Sequence, residues 1–390
     1  MVVKNKKLKV FVAMSGGVDS SVAAALLKQE GHEVSGVFFR GWEPPRFATA
    51  NSGQSLAACD WREERRAARS AAAVLGIPLL THDASEEYRQ KIVEPMIADY
   101  RAGRTPNPDV LCNRLIKFDS LWNFAKAHGA EMLATGHYAK VIRQDSDFIA
   151  TPPPRPGAEK LLSCLCASND HEKDQTYFLW TLTQTDLAHT LFPIGDYEKK
   201  KVRELAKHFH LPNADKPDSQ GLCFVGQLDF KNFLRAYLPV TLGSVCDEAG
   251  KVIGEHDGVH FYTIGERHGF RVTAKTPITA PLYIVAKDMA TNILTVSARP
   301  RESAGARSKI IIEQVNWISG TAPSPDKILK ARIRYRAPLV SCQIKILSND
   351  QDQNKIQVIF AQPIFGATPG QSCVFCDADE AVCLGGGVIE

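Results

Sequence analysis

One glycine-rich turn carries the residues of this chain with the clearest chemical potential. The turn, Ser15-Gly16-Gly17-Val18-Asp19-Ser20-Ser21, lies between a predicted strand and a predicted helix. Glycines let a phosphate approach the backbone, and a helix N-terminus favours negative charge. The pattern therefore indicates a phosphate-binding turn, although a capped turn in any α/β domain has the same features.

A second candidate is the segment GRTPNPDVLCN at residues 103–113, a polar loop that leads into a helix predicted to begin near Arg114. Asp109 lies three residues before Cys112, so both side chains can project from this junction. A helix N-terminus lowers the pKa of a thiol, and a carboxylate can accept a proton from a substrate. The same residues also fit a structural interpretation, in which Cys112 is an inert core thiol and Asp109 caps the helix. The residues alone do not decide between a reactive pair and this structural pair.

Three further segments carry polar groups at positions where α/β proteins build sites. Cys223 lies in the polar loop 217–226, and His137 follows a predicted strand in Thr135-Gly136-His137-Tyr138. Lys173-Asp174-Gln175 precedes an apolar helical pattern. Each also has a structural interpretation: a buried small thiol, a structural histidine and a solvated helix start.

The elements that must position these residues follow from the apolar pattern. The first half alternates strands and helices, which predicts a doubly wound parallel sheet with helices on both faces. The pattern fades after about Pro212 into short strands, which predicts a small β-rich central domain and a C-terminal β-barrel. The expected domains are 1–217, 218–298 and 299–390, with exposed loops at 41–55 and 151–156. Predicted strands lie at 10–13, 33–39, 77–80, 131–135, 259–264, 282–286, 293–296, 310–315, 330–336 and 356–360, and predicted helices at 20–30, 63–75 and 114–128.

The composition sets the class of protein. The chain has 390 residues, of which 44% are hydrophobic and 23% charged, and this composition is typical of a globular protein with two or three domains. The net charge of +4 permits an anionic partner without requiring one. No apolar run approaches the roughly 18 residues of a membrane helix, so no membrane partner is expected. Ten irregularly spaced cysteines and the absence of a signal-peptide pattern predict a cytoplasmic protein.

The glycine-rich turn lacks the features of two common nucleotide motifs. A Walker loop needs a lysine before its Ser or Thr, and the dinucleotide fingerprint needs a third glycine where this chain has Asp19 and Ser20. The remaining SGG-x-DS pattern resembles the pyrophosphate loop of the N-type ATP pyrophosphatases. That resemblance implies ATP-dependent adenylation of a substrate that the turn does not name.

The motifs taken together resemble the tRNA-specific 2-thiouridylases, the MnmA family. The resemblance runs in order along essentially the whole chain through SGGVDSS, GRTPNPDVLCN, IKF, TGHYA, KDQTYFL, DSQGLCF, YTIG-x-R, RYRAPL and CLGGG. It implies an enzyme that uses ATP and Mg²⁺ to adenylate the C2 oxygen of the wobble uridine, U34, and then inserts sulfur. The implied partners are the anticodon loop and stem of tRNA and a sulfur donor such as a cysteine desulfurase or a relay protein. Phe39 stands where the family commonly has Met.

The resemblance also implies roles for individual residues. Cys223 would receive the persulfide, Cys112 would form a disulfide with it, and Asp109 would be the general base. Phe39 and Gly136 would line the adenine side. The other nucleotide-binding residues would be Ala13, Met14, Ser15, Gly16, Gly17, Val18, Asp19 and Ser20. The residues at the target base or tRNA would be Asn107, Pro108, Asp109, His137, Lys173, Asp174, Gln175, Arg334, Tyr335 and Gln371.

Two patterns outside these motifs also lead to predictions. Lys330, Arg332, Arg334 and Arg336 alternate with apolar residues, which predicts four cations on one strand face that contacts phosphates; the basic segment 199–203 is a weaker candidate. The segments 373–376 and 164–166 have cysteines at metal-ligand spacing but no second pair, so no metal site is predicted. Two other functions remain open: an adenylating synthetase for a small molecule, and a non-enzymatic RNA-binding module.

Overall fold

The computed structural model describes residues 6–43, 61–143, 163–218, 230–273, 280–300, 305–347 and 355–390. Cys223, most of the predicted loop at 41–55 and the proline cluster at 151–156 lie outside these ranges, so the predictions for them stay predictions. Along the described chain, no helix is long and apolar enough to cross a membrane.

Most helices lie in the first half of the chain, whereas strands dominate the second half. The helices are α1 (Val18–Gln29), α2 (Trp61–Leu75), α3 (Ser85–Tyr88), α4 (Glu94–Arg101), α5 (Pro108–Cys112), α6 (Leu121–Ala127), α7 (Gln184–Ala188), α8 (Lys199–His208) and α9 (Phe230–Arg235). The first strands are β1 (Lys9–Ala13), β2 (Glu33–Arg40), β3 (Leu79–Asp83), β4 (Met132–Ala134), β5 (Lys140–Arg143), β6 (Ser163–Cys166), β7 (Thr190–Leu191), β8 (Gly243–Cys246) and β9 (Val252–His256). The remaining strands are β10 (Arg271–Val272), β11 (Tyr283–Asp288), β12 (Ile293–Ser297), β13 (Ala306–Trp317), β14 (Leu329–Arg332), β15 (Val340–Ile346), β16 (Ile356–Phe365), β17 (Ser372–Cys376) and β18 (Val382–Ile389).

The N-terminal domain is a parallel sheet with strand order β3-β2-β1-β4-β7. Successive side chains of β1 point to opposite faces: Val10 and Val12 pack with α1, α2 and α8, while Phe11 packs with α6. Because both of its faces are covered, the central strand β1 is apolar from Val10 to Ala13. The predicted doubly wound sheet is therefore confirmed. The strand order reverses beside β1, which is where such sheets bind ligands.

The helix predicted from Arg114 begins six residues earlier. Asn107 caps it by accepting a hydrogen bond from the Val110 N–H at 3.3 Å, and Pro108 occupies the first turn, where it needs no N–H partner. The chain continues through a π-helical segment, Asn113–Ser120, into α6. Cys112 consequently lies in the second turn, and the predicted position at a helix N-terminus is wrong.

The central domain is a sheet of order β10-β9-β8-β12-β11. Residues Val259–Phe261, predicted to begin a strand, form a 3₁₀ turn that follows Gly258, whose φ is 140°. Val259, Phe261 and Tyr262 are all buried, so the spacing that looks like alternation is a turn folded into the core. The strand prediction for 259–264 is therefore wrong.

The C-terminal domain is a closed barrel of order β13-β16-β15-β14-β17-β18, with β13 also paired to β18. The β5–β6 hairpin of the first domain pairs with β18 and extends this sheet. The predicted architecture of a parallel-sheet domain, a small β-rich domain and a β-barrel is thus confirmed.

The predicted strand face with four cations is not formed. Strand β14 ends at Arg332, and Arg336 has a φ of 61° in the turn that follows. Lys330 pairs with Glu380 at 2.6 Å. Half-buried Arg334 donates to the Ile264 carbonyl and to Thr368 Oγ1, which joins the barrel to the central domain. The chain turns before the period of two can continue, so this prediction is wrong.

Candidate active site

A cavity of about 370 Å³ opens at the carboxyl edge of the parallel sheet. It combines the glycine-rich turn after β1, the end of β2 and the segment after β4 with side chains from distant parts of the chain. The predicted site residues that line it are Ala13, Met14, Ser15, Gly17, Val18, Asp19, Ser20, Phe39, Gly136, His137, Lys173, Gln175 and Tyr335.

The glycine-rich turn is held open by its own serines. Ser20 Oγ accepts a hydrogen bond from the Ser15 N–H at 3.2 Å and donates to the Gly17 carbonyl at 3.2 Å. Within the described ranges, no side chain caps the start of α1 at Gly17, so its first amides are available to an anion. Gly16 has a φ of 84°, and a Cβ there would lie 2.3 Å from the Glu64 carbonyl oxygen. These features are those of a phosphate-binding turn.

Gly136 permits the close approach of two loops. A Cβ at this position would lie 2.6 Å from the Ser20 N atom, in the first turn of α1. The segment after β4 can therefore pack against the glycine-rich turn only because residue 136 has no side chain.

Ionic contacts surround the carboxylates of the cavity. Lys199 Nζ lies 2.7 Å from Asp19 Oδ1 and 2.8 Å from Asp218 Oδ1, and the Tyr138 hydroxyl donates to Asp19 at 3.0 Å. Burial would raise the pKa of Asp218, but hydrogen bonds from Lys173 and Lys199 outweigh it and lower this pKa to about 2. The network keeps Asp218 ionised beside the glycine-rich turn.

A buried imidazole forms another wall of the cavity. His137 Nε2 lies 3.3 Å from Lys117 Nζ, and Nδ1 lies 2.7 Å from Thr135 Oγ1. An ammonium only donates, so Nε2 accepts, and Nδ1 carries the proton that it donates to Thr135. Burial, followed by the charge of Lys117, holds the pKa of His137 well below its usual value. The histidine is therefore neutral.

The loop with Asn107, Pro108 and Asp109 does not line this cavity, and neither does Cys112. Cys112 has 0% exposed surface and packs with Ile116 and Phe233. Burial between α5 and the central domain thus supports the structural interpretation of the thiol in the described conformation.

Gln371 stabilises that loop from the barrel. Its side-chain amide donates to the carbonyls of Thr105 and Pro106 at 2.9 and 3.1 Å, and the Thr105 N–H donates to the Pro369 carbonyl at 2.8 Å. The C-terminal domain therefore positions the segment that carries Asp109.

The segment Lys173-Asp174-Gln175 divides its contacts between the cavity and the interior. Asp174 is buried and accepts hydrogen bonds from the Ser168 N–H at 3.1 Å and Thr176 Oγ1 at 2.6 Å. Gln175 accepts from the Tyr138 N–H at 2.9 Å. Asp174 thus shapes the loop, whereas Lys173 and Gln175 face the cavity.

The comparisons with known proteins cover nearly the whole chain. Family models match residues 8–227 (tRNA methyl transferase HUP domain), 231–298 (tRNA methyl transferase PRC-barrel domain) and 307–389 (aminomethyltransferase beta-barrel domain). The tRNA-specific 2-thiouridylase MnmA of Nitrosomonas eutropha is 41% identical over 98% of this chain and 98% of its own length. The MnmA proteins of Xanthomonas axonopodis pv. citri and Shewanella amazonensis are 43% and 39% identical, over 98% and 99% of this chain and 93% and 95% of their own.

The chain belongs to the MnmA family of tRNA-specific 2-thiouridylases. One solved structure with a similar fold, NMN synthetase from Francisella tularensis, is 17% identical, covers 57% of this chain and 71% of its own, and has a TM-score of 0.32. The family assignment therefore rests on sequence.

Several residues that line the cavity were not selected from the motifs. Lys117, Tyr138, Lys199 and Asp218 line the cavity without having been predicted there. Lys117 lies in the IKF motif and Tyr138 in TGHYA, so a signal was present for both. Lys199 belongs to the basic segment 199–203, and its contact with Asp19 requires the fold.

Thiols outside the two predicted catalytic positions lie mainly in the barrel sheet. Cys373 and Cys376 are buried on β17, and burial raises both pKa values, that of Cys376 to about 11. Throughout the described ranges, no three His, Cys, Asp or Glu side chains are grouped as metal ligands.

Proposed function

We propose that this protein is an ATP-dependent tRNA sulfurtransferase that forms 2-thiouridine at the wobble position. The observation that carries the proposal is the cavity shared by the glycine-rich turn and by His137, Lys173 and Gln175. In the MnmA family the glycine-rich turn corresponds to the nucleotide site, and His137, Lys173 and Gln175 correspond to contacts with the RNA. The C2 oxygen of uridine is a poor leaving group. An enzyme that binds ATP and uridine in one cavity can adenylate this oxygen and so convert it into a good leaving group.

In the adenylation step, the uridine C2 oxygen attacks the α-phosphorus of ATP and pyrophosphate leaves. The first-turn amides of α1 would hold the departing phosphates, and Lys199 would neutralise their charge. Mg²⁺ bound with ATP would supply further neutralisation, and Asp19, which is paired with Lys199 in the structure, is the carboxylate of the turn that would hold it. Asp109 would accept the proton that the uracil N3 loses.

In the sulfur step, Cys223 would carry a persulfide. The Cys112 thiolate attacks the Cys223 Sγ atom, which forms the Cys112–Cys223 disulfide and releases hydrogen sulfide anion. This anion attacks C2 and displaces AMP, and an external dithiol then reduces the disulfide. Because Cys112 is fully buried, the step requires its helix or the side chains over it to move.

The proposal includes partners and a location that follow from this chemistry. The RNA partner would be the anticodon loop and stem, since the loop presents an unpaired uridine at low cost. The sulfur donor would be a cysteine desulfurase or a relay protein, and a pathway through free thiols suits the cytoplasm.

The test combines purified full-length protein, ATP, Mg²⁺, unmodified tRNA and a persulfide donor. We expect tRNA-dependent pyrophosphate release and 2-thiouridine by nucleoside mass spectrometry. Cys112→Ser and Cys223→Ser should abolish thiolation, whereas the matched control Cys246→Ser, a buried thiol of the central domain, should retain it. Pyrophosphate release that needs no tRNA and persists in both cysteine variants would support a small-molecule synthetase instead. Binding of tRNA with neither product would support the RNA-binding module.

A further inference from the structure

Four arginines lie on one face of α2, at the side of the nucleotide cavity. Arg62, Arg65, Arg66 and Arg69 have the spacing i, i+3, i+4 and i+7, which places side chains on the same side of a helix. All four are exposed, and together with Trp61 they line a groove of about 320 Å³. We refer to these four residues as the arginine face.

Trp61 connects the arginine face to the cavity. Its side chain lines both depressions, and the guanidinium groups of Arg40 and Arg62 lie 4.6 and 4.9 Å from its ring centroid. A molecule that fills the cavity and extends beyond Trp61 would therefore meet the arginine face.

The charge of this face is only partly balanced by the protein. Arg65 Nε donates to Thr81 Oγ1 at 2.9 Å, and Arg62 lies 4.0 Å from Glu43. Across the described residues, Arg66 and Arg69 have no ion pair. Like charges three and four residues apart destabilise a helix, so the arrangement costs stability within the fold and suits an external anion.

The use of arginine at all four positions indicates a phosphate group as the anion. All four positions are arginine, whose planar guanidinium donates two parallel hydrogen bonds to a phosphate. From Arg62 to Arg69 the helix rises about 10 Å, which accommodates more than one phosphate group. The groove is lined by these side chains and one indole, so its chemistry is cationic along its whole length.

We propose that the arginine face binds the phosphate backbone of the tRNA whose uridine enters the cavity. This inference rests on the proposed function, since the uridine cannot reach the cavity without its flanking phosphates. Continuity through Trp61 and the unbalanced positive charge favour RNA backbone as the occupant.

The test measures binding of unmodified tRNA to the full-length protein over a range of potassium chloride concentrations. The variant Arg66→Gln/Arg69→Gln should bind about ten-fold more weakly at low salt. The slope of log K against log salt should decrease in magnitude by about 1.4 to 1.8, because each of the two lost phosphate contacts removes about 0.7 to 0.9. The KM for tRNA should rise, while kcat at saturating tRNA and ATP binding should stay unchanged.

Two control variants distinguish the effect of losing charge at the arginine face from the effect of lowering the net charge of the protein. Arg66→Lys/Arg69→Lys retains both charges and should keep the wild-type salt slope. Lys126→Gln/Arg307→Gln removes two exposed charges on α6 and β13 and should leave both affinity and slope unchanged. Circular dichroism and thermal melting establish that all variants are folded.

The outcomes distinguish this inference from the proposed function. Wild-type affinity and salt slope in Arg66→Gln/Arg69→Gln would overturn the inference, as would normal tRNA binding with a specific loss of sulfur uptake from a protein donor. If the wild-type protein forms no 2-thiouridine but the double variant still loses tRNA affinity, the proposed function fails and the RNA-binding face stands.

Discussion

Lys199 and Asp19 form an ion pair at the base of the cavity, with Nζ 2.7 Å from Oδ1 and 2.9 Å from Oδ2. The same ammonium contacts Asp218, which is the last residue described before the segment that contains Cys223. One cation thus joins the predicted nucleotide turn to the chain that leads to the predicted persulfide cysteine.

Replacing Lys199 with methionine should impair ATP use. The change keeps most of the aliphatic stem but leaves Asp19 and Asp218 without this partner, and hydrogen bonds to charged groups contribute about 1.5–3 kcal/mol. We expect kcat/KM for ATP to fall about 10- to 100-fold in pyrophosphate-release assays. Lys201→Met on the exposed side of α8 is the matched control and should retain activity; equal activities of the two variants would contradict this role.

The neutral His137 predicts a dependence of stability on pH. Its folded-state pKa lies well below 6.5, so the unfolded chain binds a proton that the folded one does not as the pH falls below about 6.5. We expect the free energy of unfolding to decrease from pH 7 to pH 5. His137→Gln should reduce that slope by up to about 1.4 kcal/mol per pH unit in urea titrations. Above pH 7 the slopes for the wild-type protein and the variant should agree. Identical slopes below pH 6 would refute the conclusion that His137 is neutral in the folded protein.

Gly136→Ala tests the packing of the two loops at the cavity. The added Cβ would meet the backbone of Ser20, which cannot move without displacing α1, so we expect a loss of about 1–3 kcal/mol and weaker ATP binding. Gly250→Ala, which enters open space in the central domain but has a φ of 80°, controls for backbone strain alone. ATP affinity measured by calorimetry should fall only for the first variant.

The contact between Trp180 and Ser372 tests how the barrel is attached to the first domain. Trp180 Nε1 donates to Ser372 Oγ at 3.0 Å, and both residues are buried. Trp180→Phe removes the donor and leaves a buried hydroxyl, which should lower the free energy of unfolding by about 1–3 kcal/mol. In a double-mutant cycle with Ser372→Ala, a coupling energy near zero would show that this hydrogen bond does not join the domains.

Local sequence patterns predicted the helices and strands correctly where a segment is buried on one side or along its whole length. The strand at 10–13 and the helix at 20–30 appear as β1 and α1, and both are continuous runs of small or apolar residues because they are buried along most of their length. The start of the helix at Pro108 was missed because a proline suggests a loop unless the capping role of Asn107 is considered. The strand at 330–336 failed because the pattern continues after the backbone turns.

The candidate site was only partly accessible to the same reasoning. His137 and Asp19 were selected because they lie in recognisable motifs, and both line the cavity. Lys199 was missed because it lies 180 residues from Asp19 in the chain. Cys112 was placed at an activating helix terminus, although the earlier helix start buries it in the second turn.

The amino-acid sequence by itself determined the class of sheet, the position of the glycine-rich turn and the family, because these depend on residue types at short and regular spacing. The tertiary structure decided which side chains share the cavity, since strand order brings Lys117, Tyr138 and Asp218 to the glycine-rich turn. It also decided that the barrel holds the Asp109 loop through Gln371. Such contacts join residues far apart in the chain, and no local periodicity encodes them.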